Sequence, residues 1–246
     1  MARRHLVGAA AAALVLAAPL VVGSGYYLRL INVILMYSIL ALGLNLITGF
    51  AGQFSFGHAA FFGVGAYTTA LLATRTHTPY ILVLVASGLS AGALGFVLGL
   101  PALRLRGDYL ALVTIGFGEV VHEVMLNWMG VTRGPRGIPG IPRASFFGFT
   151  LETNLHYYYF ALALAGLTLL VLRALTQSWL GRAWVAIRED ETVASSLGVN
   201  GTRFKLAAFT IGTFFAGLAG SYWATYLTFV GPASFTLDES VLMMVM

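Results

Sequence analysis

Long apolar runs alternate with short polar joints along almost the whole chain. Runs long enough to span a bilayer fall at about 6–23, 27–48, 55–74, 80–101, 108–128, 156–175 and 205–230. Each is close to the roughly 20 helical residues that cross about 30 Å of hydrocarbon. An eighth run begins near Leu237 and reaches Met246, too short to cross, so the natural chain is expected to continue. The pattern predicts an all-α fold, a polytopic transmembrane helical bundle of about eight spanning segments with the last one incomplete. It forms a single domain over residues 1–246. The first run follows Arg3 and Arg4 and has two readings, a cleaved signal peptide or a retained spanning helix. The succession of further apolar runs favours the helix.

Composition agrees with lipid as the solvent. Of 246 residues, 59% are hydrophobic and 9% charged, where a soluble domain carries about 25% charged residues. Cysteine is absent, which excludes disulfides and thiolate metal sites. The net charge of +5 is dispersed, with no nucleic-acid-binding pattern, and sets orientation instead. With the N-terminus in the cytoplasm, nine basic residues fall inside: Arg3, Arg4, Arg104, Arg106, Arg173, Arg182, Arg188, Arg203 and Lys205. Five fall outside: Arg29, Arg75, Arg133, Arg136 and Arg143. The positive-inside rule therefore predicts a cytoplasmic N-terminus. The outer stretch "GVTRGPRGIPGIP" carries Pro135, Pro139 and Pro142, which exclude a regular helix and predict a turn-rich ordered loop.

Small residues mark the packing faces. Gly88, Gly92, Gly95 and Gly99 share one face of the fourth run, and Gly212, Ala216 and Gly220 repeat the device in the seventh. In lipid such residues let helix backbones approach closely. A weak echo joins "FFGVGAY" (61–67) to "FFAGLAGSY" (214–222).

Polar residues inside the apolar runs are candidates for a translocation path. Residues 43–67 combine Asn45, Gln53, Ser55 and His58 with glycines at 49, 52, 57, 63 and 65. Irregular backbone at membrane depth survives only where protein or a watery cavity satisfies it, and interrupted segments commonly flank a substrate path. A short cytoplasmic turn between two plain helices fits the same residues equally well. On the fifth run Glu119, His122 and Glu123 share a face. Glu119 lies about 16 Å along from Asp108 and is expected to face the bundle interior, because an unpaired carboxylate in hydrocarbon is costly. A metal pair from His122 and Glu123 lacks further ligands, and no metal is expected.

One segment stands apart. "RAWVAIREDETVASSLG" (182–198) sets Arg188, Glu189, Asp190 and Glu191 in a row within an oily chain. On a helical wheel Ala183, Ala186, Ile187, Val193, Ala194 and Leu197 form one apolar stripe, with Asp190 in its middle. Gly198 is placed to end the helix in a left-handed cap. Three acids fit poorly on an anionic lipid surface and better at a docking surface for a cytoplasmic protein.

Three blocks resemble the permease subunits of bacterial ABC importers for branched-chain amino acids. They are "GLNLITGFAGQFSFGHAAFFGVGAY" (43–67), "RGDYLALVTIGFGEVVHEVMLNWMGVTRGPRGIPGI" (106–141) and "GRAWVAIREDETVASSLGVNGTRFKLAAFTIGTFFAGLAG" (181–220). The resemblance implies a non-catalytic, multi-pass subunit of the bacterial inner membrane carrying leucine, isoleucine and valine. It implies a second homologous permease subunit, two cytoplasmic ATP-binding subunits that use ATP and Mg, and a periplasmic substrate-binding protein. It also places an ATPase-coupling segment at 177–204, with Gly181, Arg182 and Ala183 at its start, Arg188, Glu189 and Asp190 in its helix, and Gly198 closing it. The chain holds no phosphate-binding glycine loop around its only lysine, Lys205, so no cofactor is expected on the chain itself. The alternative is a secondary transporter or channel using Glu119 or His58 as an ion site. Such carriers show broken helices in both halves, and the sequence displays only one.

Overall fold

The computed structural model describes residues 19, 25–76, 78–102, 108–146 and 148–246. Helix α1 (Gly25–Asn45) runs into a π-helical turn at Leu46–Phe50. Then come α2 (His58–Arg75), α3 (Tyr80–Ala102), α4 (Asp108–Asn127) and the short α5 (Met129–Thr132). Helix α6 spans Asn154–Gln177, α7 Trp179–Glu189, α8 Glu191–Ser196, α9 Gly201–Leu227 and α10 Leu237–Val245. The molecule is an all-α membrane bundle.

Five of the described helices are long and apolar enough to cross a membrane: Gly25–Phe50, Tyr80–Ala102, Tyr109–Asn127, Asn154–Gln177 and Gly201–Leu227. Of the expected runs, these five meet that length and composition among the described residues. The run at 6–23 lies outside them except for residue 19. Helix α2 covers the expected third run but is too polar to count, because protein rather than lipid surrounds it on most sides. Its buried residues include His58, Tyr67 and Thr69. Helix α10 covers the start of the expected eighth run, Leu237–Val245.

Helix α9 is the axis of the bundle. It packs most extensively on α3 and α2, and then on α1. The glycines make this approach geometrically feasible. A Cβ on Gly43 would stand 2.8 Å from the Gly212 carbonyl oxygen, and one on Gly212 would stand 2.6 Å from that of Gly43. Gly88 and Gly95 of α3 likewise take Phe214 and Thr213 of α9 where a side chain would be. The two copies of the short echo face each other, with Gly65 against Gly217 and Gly220 against the Phe62 carbonyl.

Polar caps fix where the helices begin. Thr153, Ser178 and Asn200 accept from the amides of His156, Leu180 and Arg203 at the starts of α6, α7 and α9, satisfying donors the helix cannot use. The proline-rich loop is ordered, as expected. A 3₁₀ turn at Gly134–Arg136 leads into strand β1 (Ile138–Pro139). Strands β2 (Ser145–Phe146) and β3 (Phe149–Thr150) form a small hairpin, and β1 pairs antiparallel with β4 (Phe229–Val230), just beyond α9. Arg75 reaches the Gly130 carbonyl at this same end.

Candidate functional site: two breaks in the bundle and the helix beneath them

The interrupted segment after α1 follows from its sequence. Widening into a π turn sends the Ala51 amide to the Leu46 carbonyl (3.1 Å) and the Gln53 amide to the Ile47 carbonyl (3.0 Å). Gly52 then reverses the chain with φ +67°, a conformation glycine adopts without strain. Gly57 precedes α2 with no capping side chain of its own, so neighbouring helices supply the acceptors. Thr114 Oγ1 accepts from the Phe56 amide at 3.0 Å, and Ser240 Oγ accepts from the Ala59 amide at 2.9 Å. Protein thus satisfies part of the irregular backbone here.

The predicted path residues are split by this arrangement. Gln53, Ser55 and His58 are buried inside the protein, and the side-chain polar atoms of Gln53 and Ser55 have no hydrogen-bond partner among the described residues. Asn45 is instead exposed and lines a cavity of about 730 Å³ with Ser38, Thr48, Gly49, Phe54 and Met243. Glu119 departs from expectation. It is exposed, on an outward stripe of α4 with Tyr109, Leu112, Val120 and Val124. The reason is that α2 takes the other face of α4, where Phe117 stacks on Phe61 at 5.6 Å. Glu119 still borders a small recess shared with the starts of α2 and α10, including Ala59, Thr236 and Ser240.

A second interruption, absent from the sequence reading, lies at 228–236. Thr228 takes φ +55° and ends α9. The chain then forms β4 and a 3₁₀ turn at Pro232–Ser234 before α10 begins. Phe235 packs edge-on against Phe62 at 5.1 Å. In the first turn of α10, Glu239 Oε2 accepts from the Tyr37 hydroxyl at 2.6 Å. An acid there suits the positive end of a helix. Tyr37, Thr114, Glu239 and Ser240 thus brace the two interruptions, and none of them is among the residues expected from sequence. The signal was present in "TLDE" (236–239), which has the spacing of a helix start.

The charged segment is not one helix. It breaks at Asp190, whose extended backbone (φ −156°) separates α7 from α8. Asp190 Oδ1 accepts from the amides of Thr192 (2.8 Å) and Val193 (3.0 Å), which makes it the N-cap of α8. That corrects the uninterrupted wheel, on which this acid fell in the apolar stripe. The break also rotates the stripe. Gly181, Trp184, Ile187 and Ala194 are buried, whereas Val193 and Leu197 are exposed.

The other residues of the expected coupling segment surround that break. Gly181 lies where a Cβ would meet the Thr176 backbone, Ala183 is half-buried, and Arg182 is exposed. Arg188 bonds Glu189 at 2.8 Å and reaches the Gly49 carbonyl across the site. Glu191 pairs with Lys205 at 2.9 Å. Gly198 has φ +85°, and the amides of Gly198 and Val199 return to the carbonyls of Ser195 and Ala194. This closes α8 in the left-handed cap expected there. Asp190→Ala should cost roughly 1 kcal/mol of local stability. Amides of 191–196 should then exchange several-fold faster with those of α7 unchanged, measured by hydrogen–deuterium exchange of the full-length protein. Equal exchange in both proteins would remove the capping role.

Comparison with known proteins fits this architecture. Residues 26–246 match the family model described as branched-chain amino acid transport system / permease component. Among individual relatives, the chain is 43% identical over 229 residues to the high-affinity branched-chain amino acid transport system permease protein LivM of Salmonella typhimurium. That match covers 84% of this chain and 54% of the relative. Identity to LivM of Escherichia coli is 44% with the same coverage. The corresponding protein LivH of Salmonella typhimurium is 24% identical over 80% of this chain and 68% of its own. The chain thus spans about half the length of the LivM relatives it matches. No solved structure matches it. A bundle of apolar helices with two interruptions and a match over residues 26–246 lead to one statement: the chain belongs to the permease component family of branched-chain amino acid transport systems.

Proposed function

We propose that the protein is one of two permease subunits of an ATP-driven importer for branched-chain amino acids, leucine, isoleucine and valine among them. It would sit in the bacterial inner membrane with its N-terminus in the cytoplasm. A second, homologous permease would complete the path along the exposed stripe of α4, where Glu119 would gain a polar surrounding instead of lipid. Two cytoplasmic ATP-binding subunits would hydrolyse ATP with Mg and act on α7–α8, residues 177–204 forming the coupling segment. A periplasmic binding protein would deliver substrate to the loop end, where Arg133 and Arg136 border an open cavity of about 810 Å³.

The observation that carries this reading is the outward surface of α7–α8. Glu189 (69% exposed), Val193 (56%) and Leu197 (79%) stand clear of the bundle. An exposed acid beside exposed aliphatic side chains suits a protein partner better than anionic lipid. The test is co-purification and transport with the full-length protein and its partner subunits. Leu197→Asp combined with Glu189→Arg should release the ATP-binding subunits and reduce leucine uptake in proteoliposomes about tenfold or more, as loss of two contacts each worth about 1 kcal/mol or more implies. Retained subunits and normal uptake would sink the docking assignment. The second interruption at 228–236 is a feature a secondary carrier would also have. Uptake by the permease alone under a proton gradient would establish that alternative instead.

A further inference from the structure

The first break in the bundle and the α7 helix meet at one side chain. Within the π turn, the Gln53 amide is committed to the Ile47 carbonyl, so the Gly49 carbonyl has lost the donor a regular helix would give it. Arg188 supplies the replacement, its Nη1 donating to that oxygen at 2.6 Å. A cation also suits the negative C-terminal end of the first spanning helix. Gly52 completes the fit. Its positive φ disfavours a side chain, and a Cβ there would stand 2.8 Å from Arg188 Cγ, so the arginine stem lies directly on the glycine.

This contact is held at both ends. On the bundle side, Asn45 Oδ1 fills the place of a Gly49 side chain, and Asn45, Thr48 and Gly49 all line the large cavity. On the α7 side, Trp184 is buried and its Nε1 donates to the Phe204 carbonyl at 2.7 Å, which ties α7 to the first turn of α9. The other Arg188 nitrogen, Nη2, meets Glu189 at 2.8 Å on the exposed side. One guanidinium therefore spans the outward carboxylate of α7 and the backbone of the broken helix. We infer that Arg188 is a latch that carries movement of α7 into the break at Gly49–Gly52 and so into the cavity wall, rather than a residue that grips an ATP-binding subunit. The inference rests on the reading that α7–α8 receives those subunits.

The test uses the complete transporter in proteoliposomes: full-length chain, partner permease, ATP-binding subunits and binding protein. Leucine uptake, ATP hydrolysis and bound ATP-binding subunit are measured on the same vesicles. Arg188→Gln should keep the subunits and the hydrolysis yet lower leucine taken up per ATP about tenfold, the scale of one charge-assisted hydrogen bond. Arg188→Lys, which keeps the charge without the fork, should retain an intermediate ratio. Gly52→Ala should uncouple with Arg188 intact, and the Arg188→Gln/Gly52→Ala pair should be no worse than either alone, because both break one contact. Unchanged uptake per ATP in Arg188→Gln would overturn the latch. So would loss of the ATP-binding subunits in that variant, which would make Arg188 a docking residue. Should Arg188→Gln misfold, normal coupling in Gly52→Ala and Arg188→Lys would overturn it as well. Wild-type vesicles that accumulate leucine without hydrolysing ATP would instead sink the importer reading itself.

Discussion

Gly212→Val should leave little folded protein in the membrane, while Gly116→Ala should leave the amount unchanged. The contrast follows from what each missing side chain would meet. A Cβ at Gly212 would stand 2.6 Å from the Gly43 carbonyl oxygen and 2.7 Å from Ile47 Cδ1, whereas at Gly116 nothing lies within 4 Å. The first neighbour is backbone and cannot rotate away, so α1 and α9 must move apart. In lipid that loss is severe, because close van der Waals packing, not exclusion of water, holds helices together. Overpacking a core costs about 1–3 kcal/mol even where side chains can adjust, and here they cannot. Gly43→Val should behave like Gly212→Val, and the double variant should be no worse than the sum, since both substitutions push the same two helices apart. Size-exclusion chromatography of fluorescently tagged full-length protein reads the outcome. Wild-type yields of monodisperse Gly212→Val would mean that the helices do not pack as described.

What the sequence disclosed and what it withheld divide along physical lines. Long apolar runs declare themselves because hydrocarbon imposes a length and a composition on each span, so α1, α3, α4, α6 and α9 were all legible. The glycine spacings at 88–99 and 212–220 showed which faces pack, and α9 does meet α3 and α2 there. Helix α2 was legible as a run but not as a buried one, since burial depends on what surrounds a helix. Asp190 is hidden from the sequence for a related reason. A helical wheel assumes continuity, and an aspartate that caps a new helix looks like a charge on the wrong face until the break is known. A second cue was available there, because Asp favours caps over helix interiors. The second interruption at 228–236 falls mostly between the seventh and eighth apolar runs, where "LTFVGPASF" is apolar enough to pass for a plain connection. Lipid rejects a charge, which on sequence alone predicts an inward Glu119. The exposed stripe shows that Glu119 needs a polar surrounding rather than an inward position, and a partner chain can supply it as well as the bundle can. No feature of sequence spacing pointed to Arg188 meeting Gly49, 139 residues away.

Trp184→Ala should be the most damaging single change in the α7–α8 region. Trp184 is among the largest fully buried side chains in the protein, and truncating such a residue typically costs about 3–5 kcal/mol. It also removes the hydrogen bond from Nε1 to the Phe204 carbonyl, so α7 loses its fastening to α9 as well as its filling. Trp184→Phe separates the two contributions. It keeps most of the bulk and gives up the donor alone, for about 1 kcal/mol, with the Phe204 carbonyl still within helical reach of the Ala208 amide. Thermal unfolding of the purified full-length protein should therefore rank wild type above Trp184→Phe, and Trp184→Phe well above Trp184→Ala. Uptake should fall out of proportion to stability if the fastening matters for coupling. A helix that can rock about a loose seat passes little of its motion to Arg188. Trp184→Phe, close to wild type in stability, should then already lose a measurable share of leucine taken up per ATP. Stability and coupling that fell in proportion across the two variants would show that Trp184 serves the fold only, with no separate role in transmitting movement to the break at Gly49.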